Sequence, residues 1–182
     1  YDPVTERVID FVGGQADIEH GLIRAIGDPL SRIAEDKLRM LRAVRFAARF
    51  DFAVEEQTLA AIKQQARELI IVSAERVATE LRLILTHGSR VRGVELLAET
   101  GLLEVVLPEI APVLQSGEAW SRTLAILGSL HAPTFAMSLA ALLRELHVCE
   151  PGKHLARIAF QRWKLSTDEL AGVEKLLSEE SL

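Results

Sequence analysis

Along this chain the apolar positions change their period once, near residue 30. Before that point two short β-prone runs, residues 7–12 and 22–26, are bounded by Gly13-Gly14 and Gly27-Asp28-Pro29, the pattern of strands ended by turns. Two such strands are marginal alone, so their partners are expected upstream, as at the end of a truncated α/β domain. From Ser31 the apolar spacing becomes three and four, the signature of a helical face. Leu38, Leu41, Val44 and Ala48 predict one helix running to about Phe50 and broken at Asp51-Phe52. A second helix is expected near residues 55–69. A third starts at Ser73, whose hydroxyl is placed to cap the amides of Glu75 or Arg76 ahead of Val77, Leu81, Ile84 and Leu85. His87-Gly88 ends it, and residues 91–100 form the next helix, closed by Gly101 as a left-handed stop. Further helices are expected near residues 119–130, 133–147, 153–163 and 167–182. Connections are short and no later segment alternates as a strand does, which predicts a mainly α fold, packed as a bundle or superhelix, with a short β remnant at its start.

Composition narrows the class. With 49% hydrophobic and 26% charged residues in 182, the chain is an ordinary folding sequence. No apolar stretch approaches the roughly 20 residues that cross a bilayer, and no basic-then-apolar leader opens it, so a cytoplasmic protein without membrane contact is expected. Cys149 is the single cysteine; it has no disulfide partner within the chain and reads as a core or half-exposed thiol. The five histidines lack metal-ligand spacing, and no Gly-x-Ser-x-Gly elbow marks a hydrolase. The net charge of −5 does not by itself invite nucleic acid. Its distribution does: residues 31–50 hold Arg32, Lys37, Arg39, Arg42, Arg45 and Arg49 against only Glu35 and Asp36.

That segment carries the candidate chemistry. On a helix, Asp36 and Arg39 lie three apart, so a carboxylate acceptor and a guanidinium donor can address one object such as a base edge. Glu35 stands four residues before Arg39, the spacing that holds a guanidinium in one orientation. Arg42, Arg45 and Arg49 continue a cationic stripe suited to a triphosphate or an RNA backbone, although a charged helical face is also what plain solvation produces.

The order of motifs resembles a known family. Gly13-Gly14-Gln15-Ala16-Asp17-Ile18, Gly21-Leu22-Ile23-Arg24, Gly27-Asp28-Pro29 and above all Glu35-Asp36-x-x-Arg39-x-x-Arg42-Ala43-x-Arg45-Phe46-Ala47-Ala48-Arg49 are similar to the end of the head domain and the neck of class II nucleotidyltransferases, the CCA-adding enzymes and bacterial poly(A) polymerases. Val72-Ser73-x-Glu75-Arg76-Val77-x-x-Glu80-Leu81 resembles the next family motif, and residues 95–109 resemble the start of its helical body. The resemblance implies a head remnant over 1–29, a base-recognition neck over 30–86 and an RNA-binding body over 87–182. It implies that Asp36 and Arg39 read the Watson–Crick edge of ATP or CTP, with Glu35 fixing Arg39. Arg42 and Arg45 would lie near the nucleotide, Arg76 would complete or brace the pocket, and Asp17 with Arg24 would line its head side, an ion pair between head and neck being the alternative for Arg24 and Arg76. The family's Asp-x-Asp pair, which holds Mg2+ for phosphoryl transfer, has no counterpart here, so no catalytic or metal-binding residue is assigned. A His-Asp phosphohydrolase doublet is also missing at Leu142-Leu143-Arg144-Glu145.

The implied whole protein is a tRNA 3′-end nucleotidyltransferase. A poly(A) polymerase is the nearest rival and a non-catalytic RNA-binding adaptor the rival of another class; a homodimer stays open. In the body, Lys153, His154, Arg157, Arg162 and Lys164 are candidates for contact with an RNA backbone, or simply solvated surface. Trp120, Phe160 and Trp163 read as core anchors ahead of base-stacking groups, and Glu179-Glu180 would repel RNA.

Overall fold

Helices do follow from residue 29 onward, but the chain enters them differently from the pattern above. The computed structural model describes residues 4, 6, 8–149 and 155–178. Lys153, His154 and Glu179-Glu180 lie outside the described residues, as does the side chain of Cys149. The expected strand before Gly13 is not formed among the described residues 8–12. Instead the Asp10 carboxylate accepts from the amides of Val12 (3.0 Å) and Gln15 (2.8 Å). These bonds hold Asp10 at a pKa of about 2 and turn the backbone into the short helix α1, Gly14–Glu19, through Gly13 at φ 76°. An extended run that spends its amides on a side chain is lost to a sheet.

Strand β1, Leu22–Ile23, does exist. After α2, Pro29–Glu35, and α3, Arg39–Phe50, comes β2, Ala53–Val54, and the two strands pair in parallel. One partner of β1 thus lies downstream, in β2. The hydrophobic period gave no sign of it, because two residues after a helix stop are too few to show alternation. Asp51, at φ 56°, makes the reversal that sets β2 beside β1.

Helix α4 covers Glu56–Gln65 and runs into a 3-10 helix, Ala66–Ile71. Helix α5, Ala74–Leu85, starts after Ser73, but the Ser73 hydroxyl makes no capping bond, contrary to expectation. Then follow α6, Arg90–Glu99, α7, Leu102–Val106, a 3-10 turn Pro108–Ile110, and α8, Ala111–Gln115. Gly101 has φ 75°, the left-handed stop expected of it. Helices α9, Gly117–Ser129, α10, Phe135–Cys149, α11, Leu155–Trp163, and α12, Thr167–Ser178, complete the described chain.

One hydrophobic core runs from Ile33 to Leu177. At its centre α3 lies on α5 and α6, and α10 lies on α9 and α12. Gly93 makes the first crossing possible: a Cβ there would stand 2.6 Å from Ile84 Cγ2 and 3.7 Å from Ala48 Cβ. Further along, Arg90 is buried and donates to the carbonyls of Leu127 (2.7 Å), His87 (3.2 Å) and Leu130. The guanidinium satisfies two carbonyls at the end of α9, where a cation is also favoured by the helix dipole, and one just before α6.

Candidate nucleotide-binding cleft

The expected single helix over 31–50 is two helices, and the break falls on the candidate site. Helix α2 stops at Glu35 and Asp36 takes extended backbone angles (φ −150°, ψ 103°). Its carboxylate accepts from the amide of Leu38 at 3.2 Å, and the amide of Arg39 donates to the Asp36 carbonyl at 3.0 Å. A short polar side chain has offered the backbone an alternative to the helix. Asp36 therefore sits in a turn and not on the face assumed from its spacing.

Across this turn Glu35 still reaches Arg39, Nη1 to Oε2 at 2.6 Å, and Arg39 Nη1 also donates to the Arg32 carbonyl at 2.5 Å. Arg32 binds the same Glu35 oxygen. Hydrogen bonds from Arg39 and then Arg32 hold the Glu35 carboxyl below its usual pKa. Asp36 instead faces α5, where Arg76 Nη2 lies 3.1 Å from both of its oxygens. Partial burial pulls the Asp36 pKa upward, but the Leu38 amide and the charge and hydrogen bonds of Arg76 outweigh it and leave the carboxyl lowered.

Arg42 and Arg45 converge on one carboxylate that the spacing argument did not single out. Glu80 of α5 is only 5% exposed; its Oε1 accepts from Arg42 Nε at 3.2 Å and its Oε2 from Arg45 Nε at 2.7 Å. Each arginine is thus gripped at Nε. Arg45 also lies over the Phe46 ring, 4.2 Å from its centroid, a favourable cation–π contact. Arg49 is exposed at the far end of α3. On the other side Arg24 donates through Nε to Asp17 at 3.0 Å and through Nη2 to the Val12 carbonyl at 2.9 Å. The hydrogen bond and charge of Asp17 raise its pKa further.

These pieces enclose a cleft of ≈ 270 Å³ between β1, α2 and α3. Arg24, Arg32, Arg39 and Arg42 line it, over an apolar floor that includes Ile33, Ala43, Phe46 and Ile62. Arg32 belongs to the site although the motif did not mark it. Asp36 and Arg76 line a separate shallow pocket with Glu35 and Ser73. The fold thus gathers Arg39 and Arg42 with Arg24, while it sets Asp36 on the far side of Glu35. Guanidiniums over an apolar floor suit a planar base bearing phosphates.

Two of the body candidates among the described residues are taken up by ion pairs. Arg157 pairs with Glu174 at 3.1 Å. Arg162 is bound by both oxygens of Glu109 at 2.5 and 2.8 Å, and that hydrogen bond raises its pKa; a guanidinium so engaged holds α11 to the 3-10 turn at Pro108. Lys164 is exposed, at φ 51°. Trp163 is buried, with Nε1 donating to the Val106 carbonyl at 3.0 Å, and Trp120 and Phe160 pack partly buried against the core. A broader groove of ≈ 630 Å³ lies at the junction of α4, the 3-10 helix and α7, lined by Lys63, Arg67, Ile70 and Glu104 among others. Ile70 and Ile71 stand 81% and 73% exposed beside it. Among the described residues no group of three or more His, Cys, Asp or Glu could hold a metal ion. No described helix is long and apolar enough to cross a membrane.

Comparison with known proteins bears on this cleft and groove together. Residues 51–114 match the family described as the probable RNA and SrmB-binding site of polymerase A. A CCA-adding enzyme of Limosilactobacillus reuteri is 36% identical over 173 residues, covering 94% of this chain and 40% of that protein. One from Pediococcus pentosaceus is 44% identical over 97 residues, covering 53% and 24%. Among solved structures, the Bacillus stearothermophilus CCA-adding enzyme in complex with CTP superposes with a TM-score of 0.74 at 31% identity, over 93% of this chain and 40% of that one. The Thermotoga maritima CCA-adding enzyme complexed with tRNA shares the fold, with a TM-score of 0.63 at 24% identity, over 91% and 40%. The chain spans about two fifths of the first of these relatives.

Proposed function

Because this chain belongs, in its neck and body, to the family of CCA-adding enzymes and poly(A) polymerases, we propose that it is the base-selecting and RNA-docking part of an enzyme that adds CMP and AMP to the 3′ end of tRNA. The observation that carries the reading is the cleft in which Arg24, Arg32, Arg39 and Arg42 surround an apolar floor, with Glu35 holding Arg39 in place.

The chemistry assigned to these residues is binding and selection. Cytosine and adenine both present an exocyclic amino donor beside a ring-nitrogen acceptor. A carboxylate accepts from the first and a guanidinium donates to the second. Asp36 and Arg39 supply these two groups; Asp36, which here faces Arg76 in the neighbouring pocket, turns from Arg76 toward the base beside Arg39 as it does so. Arg42 and Arg45 offer their outer nitrogens to the phosphates. Asp17 orients Arg24 at the β1 side. In this reading the metal ion that phosphoryl transfer needs, Mg2+, is held by carboxylates outside these residues. The exposed Phe11, Ile18, Ile26 and Phe50 support a reading in which further protein packs on the β1 end.

The groove that Ile70 lines lies inside the matched segment and carries Arg67 together with Lys63, whose Nζ pairs with Glu99 at 3.2 Å. We assign RNA docking to it in preference to Arg162, which both oxygens of Glu109 hold; Arg157 and Lys164 remain secondary contacts. We place the neck over residues 30–86 and the body over 87–182, in a cytoplasmic protein that works on tRNA.

The test is nucleotide addition by the full-length protein to tRNA ending before CCA. Asp36→Ala and Arg39→Ala should each reduce the preference for CTP and ATP over UTP and GTP by about tenfold, the value of one good hydrogen bond to a charged group. Unchanged preference in both variants would defeat the assignment. The family description names polymerase A, which makes addition of AMP alone the second reading. Assays on tRNA ending in CC and on unstructured RNA separate the two.

A further inference from the structure

The turn that bears Asp36 and opens into Arg39 is fastened to the rest of the protein by a buried lysine between them. We propose that Lys37 is a positioning residue that determines base specificity: it locks the α2–α3 turn against the 3-10 helix and so sets the aim of Asp36 and Arg39. This inference rests on the base-selecting reading above.

Lys37 is 7% exposed, and its Nζ makes two short contacts, 2.6 Å to Gln65 Oε1 and 2.6 Å to Glu68 Oε2. Gln65 is itself buried, and its Nε2 donates to the Leu30 carbonyl at 3.0 Å. One side chain therefore ties the turn to the end of α4 and the 3-10 helix, while Gln65 ties the same point to the start of α2. Glu68 closes the outer end of the link, its side chain 54% exposed.

The local backbone cannot fix this turn by itself. Across it run the Leu38 amide to Asp36 Oδ1, the Arg39 amide to the Asp36 carbonyl at 3.0 Å, and the Met40 amide to the Lys37 carbonyl at 3.2 Å. All are bonds of two or three residues' reach, so they shape the turn without placing it in the molecule. The Asp36–Arg76 pair does reach elsewhere, but it is the contact a bound base must displace. Among these polar contacts of the turn, those of Lys37 are both long-range and independent of the base, and they add direction to the apolar anchoring of Leu38 in the core.

Its chemistry also exceeds what packing requires. Burying an ammonium is costly unless it is paired and hydrogen-bonded, and an unbranched apolar side chain of similar length fills the same space without that cost. A charged link at a packed site supplies direction, because Nζ must meet two oxygens on different elements. The consequence falls on the neighbours: rotation of the turn moves Asp36 and Arg39 together, relative to a cleft whose other walls stay in place.

The experiment compares kcat/KM for CTP and ATP with that for UTP and GTP in the full-length protein carrying Lys37→Met, Lys37→Arg, Glu68→Gln or Asp36→Ala, with thermal unfolding measured on each. Lys37→Met should keep the melting temperature while lowering the preference for CTP and ATP over UTP and GTP by about tenfold, with KM for the favoured nucleotides rising more than kcat falls. Lys37→Arg, which keeps a donor, should recover part of that preference. Glu68→Gln, at the exposed end, should cost about threefold and serves as the variant of reference where Lys37→Met unfolds. A preference in Lys37→Met, or in Glu68→Gln where that variant replaces it, that stays at the wild-type value overturns the proposal, whatever the melting temperature does. When Asp36→Ala loses its preference in that same assay, only the role of Lys37 falls; when Asp36→Ala keeps it, the base-reading assignment falls as well.

Discussion

Glu80 illustrates how much of the site depends on a residue far away in sequence. Its two oxygens are taken by the Nε groups of Arg42 and Arg45 at 3.2 and 2.7 Å, in a position only 5% exposed. Glu80→Gln leaves one acceptor and no charge. Its loss should cost about 2 kcal/mol of stability, the range of a hydrogen bond to a charged group, read from urea unfolding. Because Arg42 lines the cleft, KM for the nucleotide should also rise by about fivefold while the choice between CTP and ATP is retained; a changed choice with unchanged KM would contradict this division of labour. The three-and-four spacing of Arg42 and Arg45 was legible in the sequence, and so was the Glu35–Arg39 pairing. The convergence on Glu80 was not, since nothing local says which of many downstream carboxylates a helix will turn toward the core. Arg32 was missed for a related reason: it joins the cleft only because the chain breaks between it and Arg39.

That break belongs to the scale of elements. The apolar pattern of Leu38, Leu41 and Val44 continues smoothly from Ile33, and no glycine or proline interrupts residues 34–38, so a period-based reading joins α2 to α3. What separates them is tertiary: Asp36 caps the Leu38 amide, and Lys37 is drawn onto Gln65 and Glu68. The later helices were legible because their faces are long and their stops, such as Gly101, act locally. Their packing is more demanding. In Gly93→Ala the new methyl would lie 2.6 Å from Ile84 Cγ2, on a β-branched side chain with little freedom to move. It should destabilise by about 2 kcal/mol, the middle of the range for an overpacked core, and adding Ile84→Ala should cost less than the sum of the two changes.

Helix α12 offers a test in pH. Ser166 and Glu169 form a reciprocal cap at its start, the Ser166 amide donating to Glu169 Oε2 at 2.8 Å and the Glu169 amide to Ser166 Oγ at 3.2 Å. Hydrogen bonds from Arg82, at 3.0 and 2.9 Å, are the largest cause holding the Glu169 pKa below its usual 4.5, against partial burial. A carboxyl lowered on folding contributes stability above its unfolded pKa and loses that contribution as pH falls through the folded value. Wild type should therefore exceed Glu169→Gln in stability at neutral pH, and the gap should close as the pH falls below 4.5; the glutamine retains capping ability, so the measurement isolates the charge. A gap that persists unchanged at low pH would assign the difference to packing instead.

At the scale of the whole molecule, α5 is the element on which both halves depend. One side of it packs on α3 and α6, and it also meets α10 and α11. Arg82 of α5 binds Glu169 of α12 and lies over the Phe135 ring of α10 at 4.9 Å. The Ser138 hydroxyl donates to the Leu85 carbonyl at 2.8 Å, so a buried bond crosses the boundary proposed at residue 86. Phe135 in turn meets Trp163 at 6.3 Å between ring centroids. The family resemblance implied separate neck and body segments, but only the side chains of α5 reveal that they share one core. On the function proposed above, a body fixed in this way would hold the proposed RNA groove at a constant distance from the proposed base-reading turn, as choosing a nucleotide for a particular RNA end requires. Unfolding in urea should accordingly be a single transition: tryptophan fluorescence, which reports Trp120 and the buried Trp163 in the body, should coincide with far-ultraviolet circular dichroism, which reports every helix. Two separated midpoints would mean that neck and body unfold independently, and the constant spacing would then have to come from bound RNA rather than from the core.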